Sequence, residues 1–169
     1  MRLLAFVLSF ALSGSLAADS LTTVILVRHA EKVDASADPE LAAAGVERSA
    51  ELARILADVP LSAIYTTPFK RTRNTAAPIA AACRIEATVI AAGKTLAADI
   101  AAKILSEQKG KTVLVVGHSN TVPDTMRALG VKSPPPIDDA TEFDRLFVVT
   151  IGGDGEPRLL SMRYGKKAP

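Results

Sequence analysis

Apolar and polar residues alternate along the chain in blocks that predict strands separated by helices. Residues 22–27 are β-branched and apolar without interruption, which is typical of a strand buried on both faces of a sheet. Residues 45–58 instead carry apolar side chains at helical spacing, with Val46 on the expected apolar face and Arg48 on the charged face. The period of the apolar pattern therefore changes from strand to helix within the first third of the chain.

The rest of the chain repeats this order of strand and helix. Thr67 and Pro68 suit an N-cap and a first helical position, so a second helix is predicted to begin there and to end near residue 82. Further strands are predicted at 61–66, 85–90, 112–117, 145–151 and 158–164, and further helices at 96–108 and 123–129. This alternation predicts an α/β fold, a three-layer α/β/α sandwich with a mostly parallel central sheet.

The N-terminal segment has a different pattern, which predicts an export signal. Residues 3–12 are almost all apolar and follow Met1 and Arg2, and Ser15 and Ala17 have the small side chains of a cleavage site. The run is shorter than the ~20 apolar residues of a membrane-spanning helix. We therefore expect a signal peptide at 1–17, a domain at 18–169, no stable membrane insertion after cleavage, and a periplasmic or secreted location.

Composition and charge exclude several classes of function. The chain has 169 residues with 20 Lys and Arg against 18 Asp and Glu, so it lacks the basic excess of a general nucleic-acid binder. Five Phe, two Tyr and no Trp offer few surfaces on which bases could stack. Cys83 is the one cysteine, which excludes an intramolecular disulfide. We expect no nucleic-acid partner.

Both histidines of the chain come directly after predicted buried strands. His29 comes after strand 22–27, and His118 comes after strand 112–117. Because ligands bind beyond the carboxyl ends of strands in open α/β sheets, the two side chains are expected to share a site. Arg28 precedes His29, and a guanidinium at this place disfavours imidazole protonation and binds phosphate oxygens. No third ligand accompanies the two histidines, so no metal and no cofactor is expected.

Four segments resemble, in order, the motifs of the histidine phosphatase superfamily, whose fold is phosphoglycerate mutase-like. They are LVRHAEK at 26–32, LAAAG at 41–45, TTPFKRTRNTA at 66–76 and VGHSN at 116–120. Together they extend over most of the predicted domain, and the short length resembles the compact bacterial members of this family.

The resemblance implies a role for each matching residue. His29 would be the nucleophile that becomes phosphorylated, Arg28 and Arg71 would clamp the phosphoryl oxygens, and His118 would complete the cationic pocket. Arg73 matches no fixed catalytic position in the motif. The implied activity is metal-independent hydrolysis of phosphomonoesters or of phosphohistidine, with a small phosphorylated substrate as partner. The alternative is a non-catalytic module that retained the pocket and binds phosphate.

The matching motifs do not identify the residue that donates a proton to the leaving group. Ser119 follows the second histidine, where the acid-phosphatase branch of the family carries an acidic residue. Glu31 is the first candidate for the general acid because it lies two residues after His29. Glu86 and Asp99 are the alternatives, and each also suits an ordinary surface role.

Overall fold

The protein is described by a computed structural model over residues 21–153 and 155–167, so the predicted signal at 1–17 lies outside the described residues. Its elements are β1 (Thr22–Arg28), α1 (Ala43–Ile55), β2 (Leu61–Thr66), α2 (Lys70–Cys83), β3 (Thr88–Val89), α3 (Leu96–Glu107), β4 (Thr112–Gly117), α4 (Thr121–Ala128), β5 (Arg145–Ile151) and β6 (Pro157–Arg163). None of the helices in this part of the chain combines the length and apolar character that a membrane crossing requires.

One six-stranded sheet has the order β3-β2-β4-β1-β5-β6. The pairs β1–β4, β4–β2 and β2–β3 are parallel, whereas β5 runs antiparallel to both β1 and β6. The expected mostly parallel sheet is confirmed. Because β4 lies between β1 and β2, the strands that precede the two histidines are direct neighbours.

Helices cover both faces of the sheet, and β1 shows how its sequence produces two cores. Val24 and Leu26 face the side covered by α3 and α4, whereas Ile25 and Val27 face the side covered by α1 and α2. Each of these side chains is buried, which stabilises the fold by about 1.5–3 kcal/mol per residue. The continuous apolar run thus correctly predicted a strand buried on both faces, and the three-layer α/β/α sandwich is confirmed.

The boundaries of α2 and β3 are among those that differ from the sequence prediction. Helix α2 begins at Lys70 with Phe69 at the N-cap position, so Thr67 is not its cap. Strand β3 has only two residues because the turn at the end of α2 includes Ile85, the first residue of the predicted strand. Arg84 adopts a left-handed conformation with φ 56°, and the Ile85 N–H donates to the carbonyl of Ala80 at 3.0 Å.

The buried face of α1 also differs from the prediction. Val46 was expected in the core but is 56% exposed, whereas Arg48 was placed on the wet face and is only 5% exposed. The helix buries Gly45, Arg48, Ser49 and Leu52, a stripe at helical spacing. An arginine can occupy this stripe because its guanidinium finds the Glu31 carboxylate and backbone carbonyls inside the fold.

Candidate active site

The pairing of β1 with β4 brings the two histidines together. Their parallel register aligns Arg28 with Gly117, and the His29 N–H donates to the carbonyl of Gly117 at 2.9 Å. The rings of His29 and His118 lie with centroids 5.3 Å apart, at an interplanar angle of 66°. The expectation of adjacent side chains at one edge of the sheet agrees with this geometry.

Gly117 is required by the turn that carries His118. The His118 N–H donates to Thr121 Oγ1 at 2.8 Å, in the first turn of α4. A Cβ atom at position 117 would lie 2.8 Å from the same Oγ1 and 3.1 Å from Val122 Cγ2. Any side chain at position 117 would therefore displace the hydroxyl that fixes the backbone of His118.

His29 has a defined tautomer. Its Nδ1 lies 2.8 Å from the carbonyl oxygen of Ala30, and because a carbonyl only accepts, Nδ1 carries the proton. The lone pair of the neutral ring is consequently on Nε2. The backbone beside it is also fixed, since the Ala30 N–H donates to Thr75 Oγ1 at 2.9 Å.

Both imidazoles are held in the neutral form. Burial, with smaller contributions from the charges of Arg28 and Arg71, lowers the pKa of His29 to about 3. Burial, followed by the charges of Arg71 and Arg28, lowers the pKa of His118 to about 4. His29 Nε2 therefore has a free electron pair at neutral pH, as a nucleophile requires.

His118 is anchored by two hydrogen-bonded threonines, one before α2 and one within it. Thr67 Oγ1 lies 3.1 Å from His118 Nε2 and 2.8 Å from Thr72 Oγ1. The hydroxyl of Thr72 donates to the carbonyl of Phe69 at 2.9 Å, so Thr72 Oγ1 can only accept from the hydroxyl of Thr67. The hydrogen of Thr67 is thereby used, and Thr67 Oγ1 accepts a hydrogen bond from His118 Nε2. Thr67 therefore orients His118. Because its hydroxyl is engaged in this way, Thr67 does not cap α2.

A cavity of about 390 Å³ opens beside the two rings and carries cationic groups. Arg71, the second residue of α2, lines it with its guanidinium carbon 4.3 Å from the ring centroid of Phe69. Arg73 is exposed and faces away, as expected for two residues that lie two positions apart on a helix. Lys32 and Asp139 also line the cavity, and the sequence prediction assigned neither to the site. Across the described ranges, no three His, Cys, Asp or Glu side chains are grouped as metal ligands.

Arg28, the other expected phosphoryl clamp, does not line this cavity. The side chain is 1% exposed, and Nη1 donates to the carbonyls of Asp138 and Glu142 at 3.1 and 3.3 Å. Nη2 donates to the carbonyl and to Oδ1 of Asp139, both at 2.8 Å, and the ring of Phe143 covers the guanidinium at 3.9 Å. All four Nη hydrogens are thus engaged by residues 138–142, and only Nε–H is without a partner among the described residues.

Comparison with known proteins agrees with this arrangement. The sequence model of the histidine phosphatase superfamily (branch 1) matches residues 24–92, which include His29, Arg71 and the segments around them. This part of the chain is therefore similar to that superfamily. A comparison with curated protein sequences gives no match.

Several solved structures share the fold of this chain over most of its length. The protein histidine phosphatase SixA, complexed with tungstate, has 20% identity and a TM-score of 0.64, over 83% of this chain and 96% of SixA. A mycobacterial glucosyl-3-phosphoglycerate phosphatase has 14% identity and a TM-score of 0.64, over 86% and 100% of the two chains. A phosphoserine phosphatase mutant from Entamoeba histolytica has 16% identity and a TM-score of 0.61, over 85% and 96%.

Glu31, the expected general acid, lies outside the histidine cavity. Arg48 Nε donates to both carboxylate oxygens of Glu31 at 3.0 Å, and Arg48 Nη2 donates to Oε1 at 2.6 Å. Helix α1 also approaches the Glu31 backbone closely, since a Cβ at Gly45 would lie 2.2 Å from the Glu31 carbonyl oxygen. Glu86 and Asp99 are exposed and do not line the cavity either.

The Glu31–Arg48 pair predicts a large difference between two arginines of α1. Arg48→Leu should destabilise the protein by about 3–5 kcal/mol, because Glu31 would be left half-buried without its counter-charge. Arg54→Leu removes the partner of Glu51 at an exposed site and should change stability little. Urea unfolding measures both values. Similar small changes in the two variants would contradict a structural role for Arg48.

The lowered pKa values of the two histidines predict that stability depends on pH. The unfolded chain titrates near the ordinary value of 6.5, whereas the folded values are about 3 for His29 and about 4 for His118. Between these limits the unfolded state binds more protons, so the free energy of unfolding should fall as pH falls from about 6.5 towards 4. Urea unfolding at several pH values measures this slope. The double variant His29→Gln, His118→Gln should have a shallower slope, and identical slopes would contradict the prediction.

Proposed function

We propose that this protein is a phosphatase that transfers the phosphoryl group of a small phosphorylated substrate to His29 Nε2 and then to water. The observation that carries the proposal is the neutral His29 ring, with its free Nε2 beside His118 and Arg71 in one cavity. Similarity to the sequence model of the histidine phosphatase superfamily over residues 24–92 and a fold shared with solved phosphatases support the same activity.

The first chemical step is an in-line displacement at phosphorus. The Nε2 lone pair of His29 forms a bond to phosphorus as the bond to the leaving group breaks. The leaving oxygen keeps the electron pair of that bond and takes a proton from water. Arg71 offers planar, bidentate donors to the phosphoryl oxygens, and its place at the start of α2 adds the partial positive charge of the helix N-terminus. Lys32 lines the same cavity and adds a second cation. These fixed charges stabilise the transition state without a metal ion.

Arg28 contributes to this step without lining the cavity. Its charge helps to keep His29 neutral, and its Nη groups hold residues 138–142 in place beside the two histidines. Direct contact with the phosphoryl group is limited to Nε–H unless that turn rearranges. We therefore assign the bidentate clamp to Arg71 and a positioning role to Arg28.

The dimensions of the site suit phosphomonoesters of small molecules or a phosphohistidine side chain. A volume of about 390 Å³ lies at the lower end of ordinary ligand cavities. The structural relatives include a protein histidine phosphatase and a phosphoserine phosphatase, which act on side chains and small molecules respectively according to their names. The proposal includes export of the chain, on the strength of the sequence at residues 1–17.

His29→Ala should abolish turnover while the protein remains folded, because the reaction needs the Nε2 lone pair. Hydrolysis of an aryl phosphate, assayed in excess chelator, measures activity, and circular dichroism checks the fold. Brief mixing of the parent protein with labelled substrate, quenched without acid, should trap phosphate on His29. Activity that survives in His29→Ala, with no adduct in the parent, would refute the covalent route. Phosphate binding without any turnover in the parent would instead favour a binding module.

The assignment of the clamp predicts that Arg71 and Arg73 respond differently to lysine. Arg71→Lys loses the bidentate geometry of the guanidinium, which should cost about 1.5–3 kcal/mol in the transition state, or roughly one to two decades in kcat/KM. Arg73→Lys makes the same change at an exposed position of the same helix and should leave the rate unchanged. Steady-state kinetics of both variants test this, and equal losses would remove Arg71 from the site.

A further inference from the structure

Asp139 supplies the one carboxylate among the described residues that line the histidine cavity. Its Oδ1 accepts hydrogen bonds from Ser119 Oγ at 2.6 Å and from Arg28 Nη2 at 2.8 Å. Its Oδ2 makes no hydrogen bond with the described residues, and the side chain is 76% exposed. One oxygen is therefore fixed by two donors, and the other is free to bind water at the cavity.

Hydrogen bonds hold the turn that carries Asp139 in place. Asp138 Oδ1 accepts from the N–H groups of Ala140 and Thr141 at 2.7 and 3.2 Å, and the Asp138 N–H donates to Glu142 Oε2 at 3.0 Å. The guanidinium of Arg28 also donates to three backbone carbonyl oxygens of the same turn. Asp139 is thus presented to the cavity by a preorganised element, as positioning of a reacting group requires.

The charge of Asp139 indicates which half of the reaction it serves. The hydrogen bond from Ser119 and the nearby charges of Arg28 and Lys32 lower its pKa, so the carboxylate is ionised at neutral pH. An ionised carboxylate is a poor proton donor to a leaving group but accepts a proton or a hydrogen bond readily. Removal of the phosphoryl group from His29 needs such an acceptor, because the attacking water must lose a proton.

We propose that Asp139 is a catalytic residue of the dephosphorylation step, in which its Oδ2 holds the attacking water and takes one of its protons. This inference rests on the proposed function. The water oxygen forms a bond to phosphorus as the bond from phosphorus to His29 Nε2 breaks, and that electron pair returns to Nε2. The proton on Oδ2 then passes to the released hydrogen phosphate, which restores the ionised carboxylate and the neutral imidazole.

The test compares two rates in the variant Asp139→Asn, the transfer of phosphate to His29 and its later release to water. The amide has the shape of the carboxylate, and its oxygen still accepts from Ser119 and Arg28, but it takes up no proton. Rapid mixing with 4-nitrophenyl phosphate should show release of nitrophenolate in the first turnover within a few-fold of the parent rate. Steady-state turnover should be about 100-fold slower or more, and phosphate should accumulate on His29 to nearly one per site.

Two further variants sharpen this experiment. Asp99→Asn removes an exposed carboxylate on α3 and should match the parent in both phases. Ser119→Ala keeps the carboxylate but removes one donor to Oδ1, so it should slow the steady state to a smaller degree without slowing the first turnover. Circular dichroism of each variant checks the fold.

The outcomes that would overturn the role of Asp139 differ from the one that would refute the proposed function. An equal loss in the first turnover and in the steady state would assign Asp139 to phosphoryl transfer and overturn the inference. A lower KM with unchanged kcat would make Asp139 only an anion that competes with the substrate, which also overturns it. Absence of any adduct on His29 in every variant would instead refute the proposed function itself.

Discussion

The parallel pairing of β1 with β4 determines where every group of the site lies. Because the two strands end at the same level, Arg28 is opposite Gly117 and the two histidines lie on adjacent turns. Gly117 then allows the chain to bend close to Thr121, which fixes the backbone of His118. A shift of one residue in this register would separate the His29 N–H from the carbonyl of Gly117 and move the two rings apart.

A buried cation connects this strand pair to the rest of the site. Arg28 has almost no contact with solvent, and a buried guanidinium is costly unless its donors are satisfied. The backbone carbonyls of residues 138–142 and the carboxylate of Asp139 satisfy four of them. The same bonds hold Asp139 beside the histidines, so one arginine both influences the charge of His29 and positions a carboxylate from a distant loop.

A second buried arginine ties the loop after β1 to the C-terminal segment. Arg48 pairs with Glu31 and also donates to the carbonyls of Tyr164 and Lys166 at 2.9 and 2.7 Å. Residues from α1, from the loop after His29 and from the end of β6 therefore meet at one guanidinium. Glu31 supports the active-site loop from the outside, and its carboxylate is directed away from the cavity.

The sequence by itself determined the α/β class, the buried strands and the two histidines at strand ends, because these depend on local patterns. A continuous apolar run has to be buried on both faces, and the residues after such a strand emerge at its carboxyl end. It also placed Arg71 and Arg73 on different sides of α2, since helical geometry separates neighbours two positions apart.

Only the tertiary structure decided which charged groups reach the cavity. Arg48 looked like a surface residue and Glu31 like an acid beside the nucleophile, yet the two neutralise each other because α1 packs against the loop after β1. Asp139 carries no local signal, and it joins the site through hydrogen bonds to Ser119 and Arg28, which are distant from it along the chain. Partners of this kind depend on how elements pack and not on the spacing of residues within any one of them.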